Sequence, residues 1–161
     1  MKLIKHLIFK INQQKFAIKV QRVLNVIEKA KLVDVPTEKP FYKGMINYRD
    51  ILIPLIDLRE LLRMQPSKRS ANECVIILEL RINGKLELAG FSVDEISEIT
   101  EFEKFYEYSY KNNFSKSRIC DPRDGILIFN EEPVIFINAD KVIKAFEFQT
   151  SDTEYSQFVF N

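Results

Sequence analysis

The side chains able to do chemistry are few and scattered. The single histidine, His6, stands in HLIFKI (6–11), an apolar-rich run with no nucleophile beside it. A strand histidine that faces solvent or bonds locally explains it better than a catalytic base. Cys74 and Cys120 are far apart, form no Cys-x-x-Cys, and have no histidine cluster near them. They read as free thiols of a reducing compartment rather than metal ligands. Asp121 and Asp124 bracket Pro122 and Arg123 just before Gly125. A carboxylate pair could serve acid–base catalysis, but Asp-Pro and Asp-Gly are turn chemistry first. Tyr106, Tyr108 and Tyr110 alternate, as on one face of a strand or on a platform that stacks bases. With only four glycines, no phosphate-cradling loop is visible. The chain points away from an enzyme, with no catalytic residue, metal ligand or cofactor assigned.

Bulk properties narrow the class further. The 161 residues, 46% of them hydrophobic, can form one substantial domain or two small lobes sharing a core. The 24 basic and 23 acidic residues leave a formal net charge of +1, no basis for a nucleic-acid-binding field. No apolar run is long enough to span a bilayer. MKLIKHLIFKI resembles a secretion signal superficially, but Lys5, His6 and Lys10 interrupt it and no small-residue cleavage site follows. It reads as a first strand of a cytoplasmic protein.

The elements that must position any site are mostly strands. HLIFKI (6–11) and KFAIKV (15–20) flank Asn12-Gln13-Gln14 as a hairpin. LVDVP (32–36) is a short strand ended by Pro36, and 37–47 reads as loop or helix, with Pro40 early in it. ECVIILELRI (73–82) and KLELAGFSV (85–93) flank Asn83-Gly84, the strongest short hairpin signal. ISEITEF (96–102) continues the alternation; 103–124 is aromatic and polar, part strand and part loop; 125–137 holds two apolar runs. Ala139 to about Phe146 has helical spacing, giving a C-terminal helix.

GMINYRDILIPLIDLRELL (44–62) carries a proline inside an apolar run and then changes period. Asp57 is a good N-cap and Glu60 completes a capping-box pair, so a short strand leads into a helix of one or two turns. Residues 125–143 repeat this stretch without a gap. Gly44 meets Gly125, Tyr48 meets Phe129, Leu55 meets Phe136, Asp57 meets Asn138, and Leu61 meets Val142. FAIKVQRVLNVI (16–27) likewise overlies AGFSVDEISEI (89–99), with Val20 on Val93. Two copies of one supersecondary unit, rich in short strands, suggest paired small barrels.

Together, "FAIKVQRVLNVI", the Pro40–Arg59 block, "AGFSVDEISEI" and "PVIFINADKVI" resemble the CheW-like domain family of bacterial chemosensory systems, over about residues 6–146. The resemblance implies a mainly β fold: two small five-stranded SH3-like β-barrel subdomains sharing a core, with short helices and a C-terminal helix. Residues 1–148 would form one domain from interleaved subdomains, about 15–70 and 83–148, with the N-terminal strand contributing to the shared core. Residues 149–161 would be a polar tail, disordered or free to add a strand to a neighbouring edge.

The resemblance implies a non-catalytic adaptor that couples the cytoplasmic tip of a chemoreceptor to the regulatory domain of a CheA-type histidine kinase. It would be cytoplasmic, recruited to receptor arrays at the inner membrane without inserting, and would bind no nucleic acid. No receiver or kinase module is recognisable in the chain. The family's receptor-side positions fall on Val23, Asn25, Gly44 and the motif Asn47-Tyr48-Arg49-Asp50. Arg49 would pair with a receptor carboxylate or pin the loop between barrels, and Gly44 would keep a side chain out of the approach of a helix. Tyr48 stands where the motif has leucine, Asp50 where it has glycine, and Asn25 at a commonly acidic position. The usual contacts are altered, which suits a divergent partner. The kinase-binding surface has no motif; edge strands with exposed apolar residues are its candidates. The alternative class is a β-barrel that binds single-stranded nucleic acid through the tyrosines, and a weaker one is a small-molecule sensor in the cleft between barrels.

Overall fold

The computed structural model describes residues 2–36, 41–66, 73–82, 84–103 and 122–142. In chain order they form β1 (Leu3–Ile11), β2 (Gln14–Lys19), β3 (Val23–Ile27), β4 (Leu32–Val33), β5 (Tyr42–Tyr48), β6 (Ile51–Asp57), β7 (Cys74–Ile82), β8 (Lys85–Val93), β9 (Glu95–Glu103), β10 (Arg123–Phe129) and β11 (Glu132–Ile137). A short helix, α1 (Leu58–Leu61), follows β6, and a helical turn over 139–142, here α2, follows β11.

The strands make two sheets. Sheet A runs β10-β11-β2-β1-β9 and sheet B runs β3-β7-β8-β6-β5-β4. The mainly β, two-sheet architecture is as expected. Two details differ: sheet B has a sixth strand, β4, and among the described residues neither sheet closes through a backbone ladder. Side chains instead link the first strand in each sheet order to the last, in sheet A, or to the last but one, in sheet B. In sheet A, Phe102 of β9 meets Phe129 of β10 edge-on, with ring centroids 5.2 Å apart. In sheet B, the Asn25 amide of β3 donates to the Tyr48 hydroxyl of β5 at 3.3 Å. Tyr48 and Phe129 are repeat-equivalent residues, so one position performs the same closing task in both halves.

Strand connections pass between the sheets at two corners. β2 lies in sheet A and β3 in sheet B, joined by a single 3₁₀ turn, Val20–Arg22; β8 lies in sheet B and β9 in sheet A. The spans 15–70 and 83–148 therefore each contribute strands to both sheets. The repeat is reproduced residue by residue in the pairing. β6 runs parallel to β8 with Leu55 opposite Gly90, and β11 runs parallel to β2 with Phe136 opposite Ala17. Even the irregularities coincide: β5–β6 shifts register between Tyr42 and Gly44, and β10–β11 shifts between Arg123 and Gly125.

Tyr42–Tyr48 is a strand, where loop or helix was expected over 37–47. Its ladder to β6 and a strip of alternate side chains in the core outweigh the helix-favouring position of Pro40, which itself lies outside the described residues. Pro54 pairs with Met45 of β5, and the β8 register begins only at Leu55. It sits where β6 has a partner on one side only, so a residue that cannot donate is tolerated.

Alternation of side chains sends one face of each sheet into a shared core built from Phe9, Phe16, Tyr42, Ile56, Ile76 and Phe91 among others. The opposite faces form two smaller cores. Ile46, Tyr48, Ile53, Leu55, Val75 and Ile77 fill the one in sheet B; Ile8, Ala17, Phe102, Val134 and Phe136 fill the one in sheet A. Both helix starts are capped as expected: Asp57 Oδ1 accepts the Arg59 N–H at 2.9 Å, and Asn138 Oδ1 accepts the Lys141 N–H at 3.2 Å.

Candidate functional site

The β5–β6 hairpin ends in a two-residue turn made by Arg49 and Asp50, with φ of 51° and 66°. Two successive left-handed residues give the primed turn that matches strand twist. The glycine of the family motif is absent here, yet the positive φ is kept. Part of its cost is offset by Asn47, whose Oδ1 accepts the Asp50 N–H at 3.0 Å. Asn47, Arg49 and Asp50 are exposed while Tyr48 is buried.

Tyr48 organises this end of the molecule. Its ring lies in the sheet B core, its hydroxyl accepts from Asn25, and the Arg49 guanidinium carbon lies 5.1 Å from its ring centroid. That stacking holds a cation at the tip without neutralising it. Among the described residues no carboxylate pairs with Arg49. Asn25 is fixed at its other end, because its Oδ1 accepts the Val26 N–H at 2.8 Å. The sequence departures at Asn25 and Tyr48 are thus a single contact between β3 and β5.

Five of the candidate residues (Asn25, Asn47, Tyr48, Arg49 and Asp50) gather at this tip. Val23 lies two positions back along β3 and packs, half-buried, against the shared core. Gly44 lies elsewhere, under β4. Its φ is 131°, and a Cβ there would come within 2.5 Å of the Val33 carbonyl oxygen. What its missing side chain admits is the β4 backbone.

Sequence reasoning did not single out the apolar frame of the tip: Leu24, Ile51 and Leu52 are 44%, 54% and 55% exposed. Ile51 and Leu52 belong to a run that reads as buried, and their place beside a hairpin turn was the available signal. An exposed apolar frame around one stacked cation suits docking of a helix with apolar residues and a carboxylate.

The residues with catalytic potential lie apart from this tip. His6 is buried, its Nδ1 is 2.9 Å from the Ile4 carbonyl oxygen, and its ring meets Phe102 and Phe136 edge-on. It is the locally bonded strand histidine of the plainer reading. Burial, helped by the Glu73 and Glu28 carboxylates, pushes the Cys74 thiol up to about 11, away from thiolate chemistry. Asp124 accepts from Lys141 Nζ at 2.6 Å and from the Asn138 amide at 3.1 Å, a tie that secures the start of α2. Cys120, Asp121 and the three alternating tyrosines lie outside the described residues. Among those described, no group of three or more potential ligands is placed to hold a metal ion, and no helix is long and apolar enough to cross a membrane.

Comparison with known proteins decides the family, since residues 5–147 match the CheW-like domain. The chain belongs to that family. A chemotaxis protein CheW from Thermotoga maritima is 27% identical over 139 residues, which cover 84% of this chain and 85% of that protein. Chemotaxis protein CheV3 of Helicobacter pylori is 25% identical over 129 residues, 80% of this chain but 40% of the relative. The crystal structure of the scaffolding protein TtCheW from Thermoanaerobacter tengcongensis superposes with a TM-score of 0.74 at 21% identity, covering 88% of this chain and 92% of that one. At that identity the likeness establishes the fold. For a CheW-like domain, the two sheets and their interleaved corners are therefore the expected frame around the Tyr48–Arg49 tip.

Proposed function

We propose that this CheW-like domain is a non-catalytic adaptor of a bacterial chemosensory array, joining a chemoreceptor's cytoplasmic tip to the regulatory domain of a CheA-type histidine kinase. The observation that carries this reading is the family match over residues 5–147, nearly the whole chain. The curated relatives named as chemotaxis proteins support it.

The receptor-binding surface is the β5–β6 tip with its β3 flank: Asn25, Asn47, Tyr48, Arg49 and Asp50, framed by Leu24, Ile51 and Leu52. Val23 acts beneath it and Gly44 acts through β4. The receptor helix lays its apolar face on the frame and brings a carboxylate to Arg49. Residues 1–148 work as one unit, because each corner ties the two sheets together. The protein works in the cytoplasm and is held at arrays by its partners rather than by inserting into the membrane. Sheet edges remain the candidate kinase surface.

Titration of a receptor-tip fragment into the purified protein, followed calorimetrically, tests the assignment. Arg49→Glu should weaken that complex at least tenfold while the thermal melt stays within about 2 °C, since an exposed tip charge contributes little to folding. Unchanged affinity would remove Arg49 from the site. A labelled oligonucleotide, in a parallel titration, should show no binding at moderate salt; binding that weakens steeply with salt would favour the nucleic-acid alternative.

A further inference from the structure

The two corners carry matched ion-pair clamps of opposite sign. After β6, Arg59 in the first turn of α1 reaches the β8–β9 corner. Its guanidinium pairs with the Asp94 carboxylate, and its Nε donates to Asn12 Oδ1 at 2.9 Å in the β1–β2 turn. Asp94 Oδ2 also accepts the Asn12 N–H at 2.8 Å. After β11, the repeat-equivalent residue of α2 is Asp140. It reaches the β2–β3 corner, where its Oδ2 lies 2.8 Å from Arg22 Nη2 and its Oδ1 accepts the Arg81 N–H at 3.3 Å. In one half the clamp residue at the helix start is basic and its corner partner acidic; in the other the signs are exchanged.

This exchange matters because the shared backbone plan does little to separate the two seats. The hairpins β5–β6 and β10–β11 are alike in apolar pattern, register shift and cap. Each lays its second strand parallel to a strand that leads into a corner. Chain length does not discriminate either: about 35 positions separate Leu55 from its partner Gly90, nearly as many as separate it from Ala17 of β2, so closure entropies are alike. During synthesis β2 emerges before β8, so the wrong edge is the first one that β6 meets. A β5–β6–α1 unit seated there would set Arg59 against Arg22, and the displaced α2 would set Asp140 against Asp94.

We propose that the opposite-signed clamps are a pairing code that assigns each helix start to its own corner and so directs the interleaving of the two halves. A second contrast supports the same assignment at the parallel seams. In sheet A, Lys15 Nζ lies 2.7 Å from Glu132 Oε2, whereas the equivalent positions in sheet B are the apolar Leu88 and Ile51. Mis-seating would bring a charged residue against an apolar one at both seams. A buried or half-buried polar pair that fixes register, rather than adding stability, is the best-attested use of such groups.

The test uses three variants of the full chain, each unfolded in urea, refolded by dilution, and read by the number of amide cross-peak sets and the native fraction. Arg59→Asp with Asp140→Arg makes both native corners repulsive and both wrong ones attractive. It should refold to more than one species, with the native fraction down at least fivefold. Arg59→Gln with Asp140→Asn removes attraction without rewarding the wrong seats and should refold with a native fraction between those of the parent and the sign-exchanged chain. Adding Asp94→Arg and Arg22→Asp to the first pair restores complementarity with inverted sign and should recover one native set within twofold of the parent yield. If the sign-exchanged chain does not fold at all, recovery by the four-site variant still carries the code, and a neutral chain that refolds with the full parental yield overturns it. A sign-exchanged chain that refolds to the single native species, or a four-site chain that fails to recover it, overturns the proposal.

Discussion

At the β8–β9 corner the Arg59 and Asp94 side chains are each 15% exposed, whereas at the β2–β3 corner Arg22 and Asp140 are 25% and 34% exposed. The same topology thus places one ion pair in a mostly dry setting and its counterpart in a wetter one. A pair taken out of water depends on its partner, because losing one member strands the other; a solvated pair exchanges protein for water at little cost. The two halves share a backbone plan but not an energy distribution. Arg59→Ala should therefore destabilise the protein by about 2–4 kcal/mol. Asp140→Ala should cost only about 0.5–1 kcal/mol. Urea unfolding of both variants checks this, and equal losses would show that depth does not separate the corners.

The small cores differ in a second way. Gly90 in sheet B stands where sheet A has the fully buried Ala17. A Cβ on Gly90 would come within 2.7 Å of Val75 Cγ1, and a β-branched side chain cannot swing away cheaply. Across the seam, the position equivalent to Val75 is His6, which has no branch at Cβ and whose ring stands edge-on to Phe136. Gly90→Ala should cost about 1–3 kcal/mol through overpacking. Gly90→Ala combined with Val75→Ala should recover part of that loss, and a double variant worse than the sum would break the steric account.

Much of the plan that the two halves share was within reach of the sequence, and their differences were not. The Asn-Gly and Asn12-Gln13 hairpins, the Asp57 and Asn138 caps and the in-register repeat are local signals, set by φ preferences and side chains a few residues apart. The ungapped alignment of Leu55 with Phe136 even anticipates equivalent places in two parallel seams. Sheet membership was not legible, because a hydrophobic alternation says which side chains point inward and not which sheet a strand joins. β5 was missed for a related reason: its partner β6 and its core face decide it, not its own propensities. At the candidate site the motif residues could be named, but the contact between Asn25 and Tyr48 spans β3 and β5, and no local pattern reports it.

That contact separates the two ways in which the sheets are closed. Sheet B draws β3 and β5 together with a hydrogen bond, sheet A uses two aromatic rings. Tyr48→Phe converts the first into a form nearer the second. It leaves the Asn25 amide short of one acceptor and should cost about 1 kcal/mol. Arg49 keeps its stacking partner in the phenylalanine, so the receptor-tip affinity should change less than twofold. A loss of affinity beyond that, at unchanged melting temperature, would mean that the hydroxyl orients the tip rather than merely closing the sheet.

The smallest difference lies between the two hairpin turns. Arg49 and Asp50 have φ of 51° and 66°, and Asn130 and Glu131 have 50° and 66°. Glycine at the second position relieves that strain in either turn, so Asp50→Gly and Glu131→Gly should each stabilise by about 0.4–1 kcal/mol. The first turn has help that the second lacks: Asn47 accepts the Asp50 N–H, while the equivalent residue of β10 is Ile128. That bond uses the backbone of residue 50 and survives the change, so the two gains should be similar. Their effects on binding should differ. Asp50→Gly removes a negative charge next to Arg49 and should strengthen attraction to an acidic receptor helix, most visibly at low salt. Glu131→Gly, at the far hairpin, should leave it unchanged. Equal responses of the two turns in the receptor titration would place the docking surface somewhere other than the Tyr48–Arg49 tip.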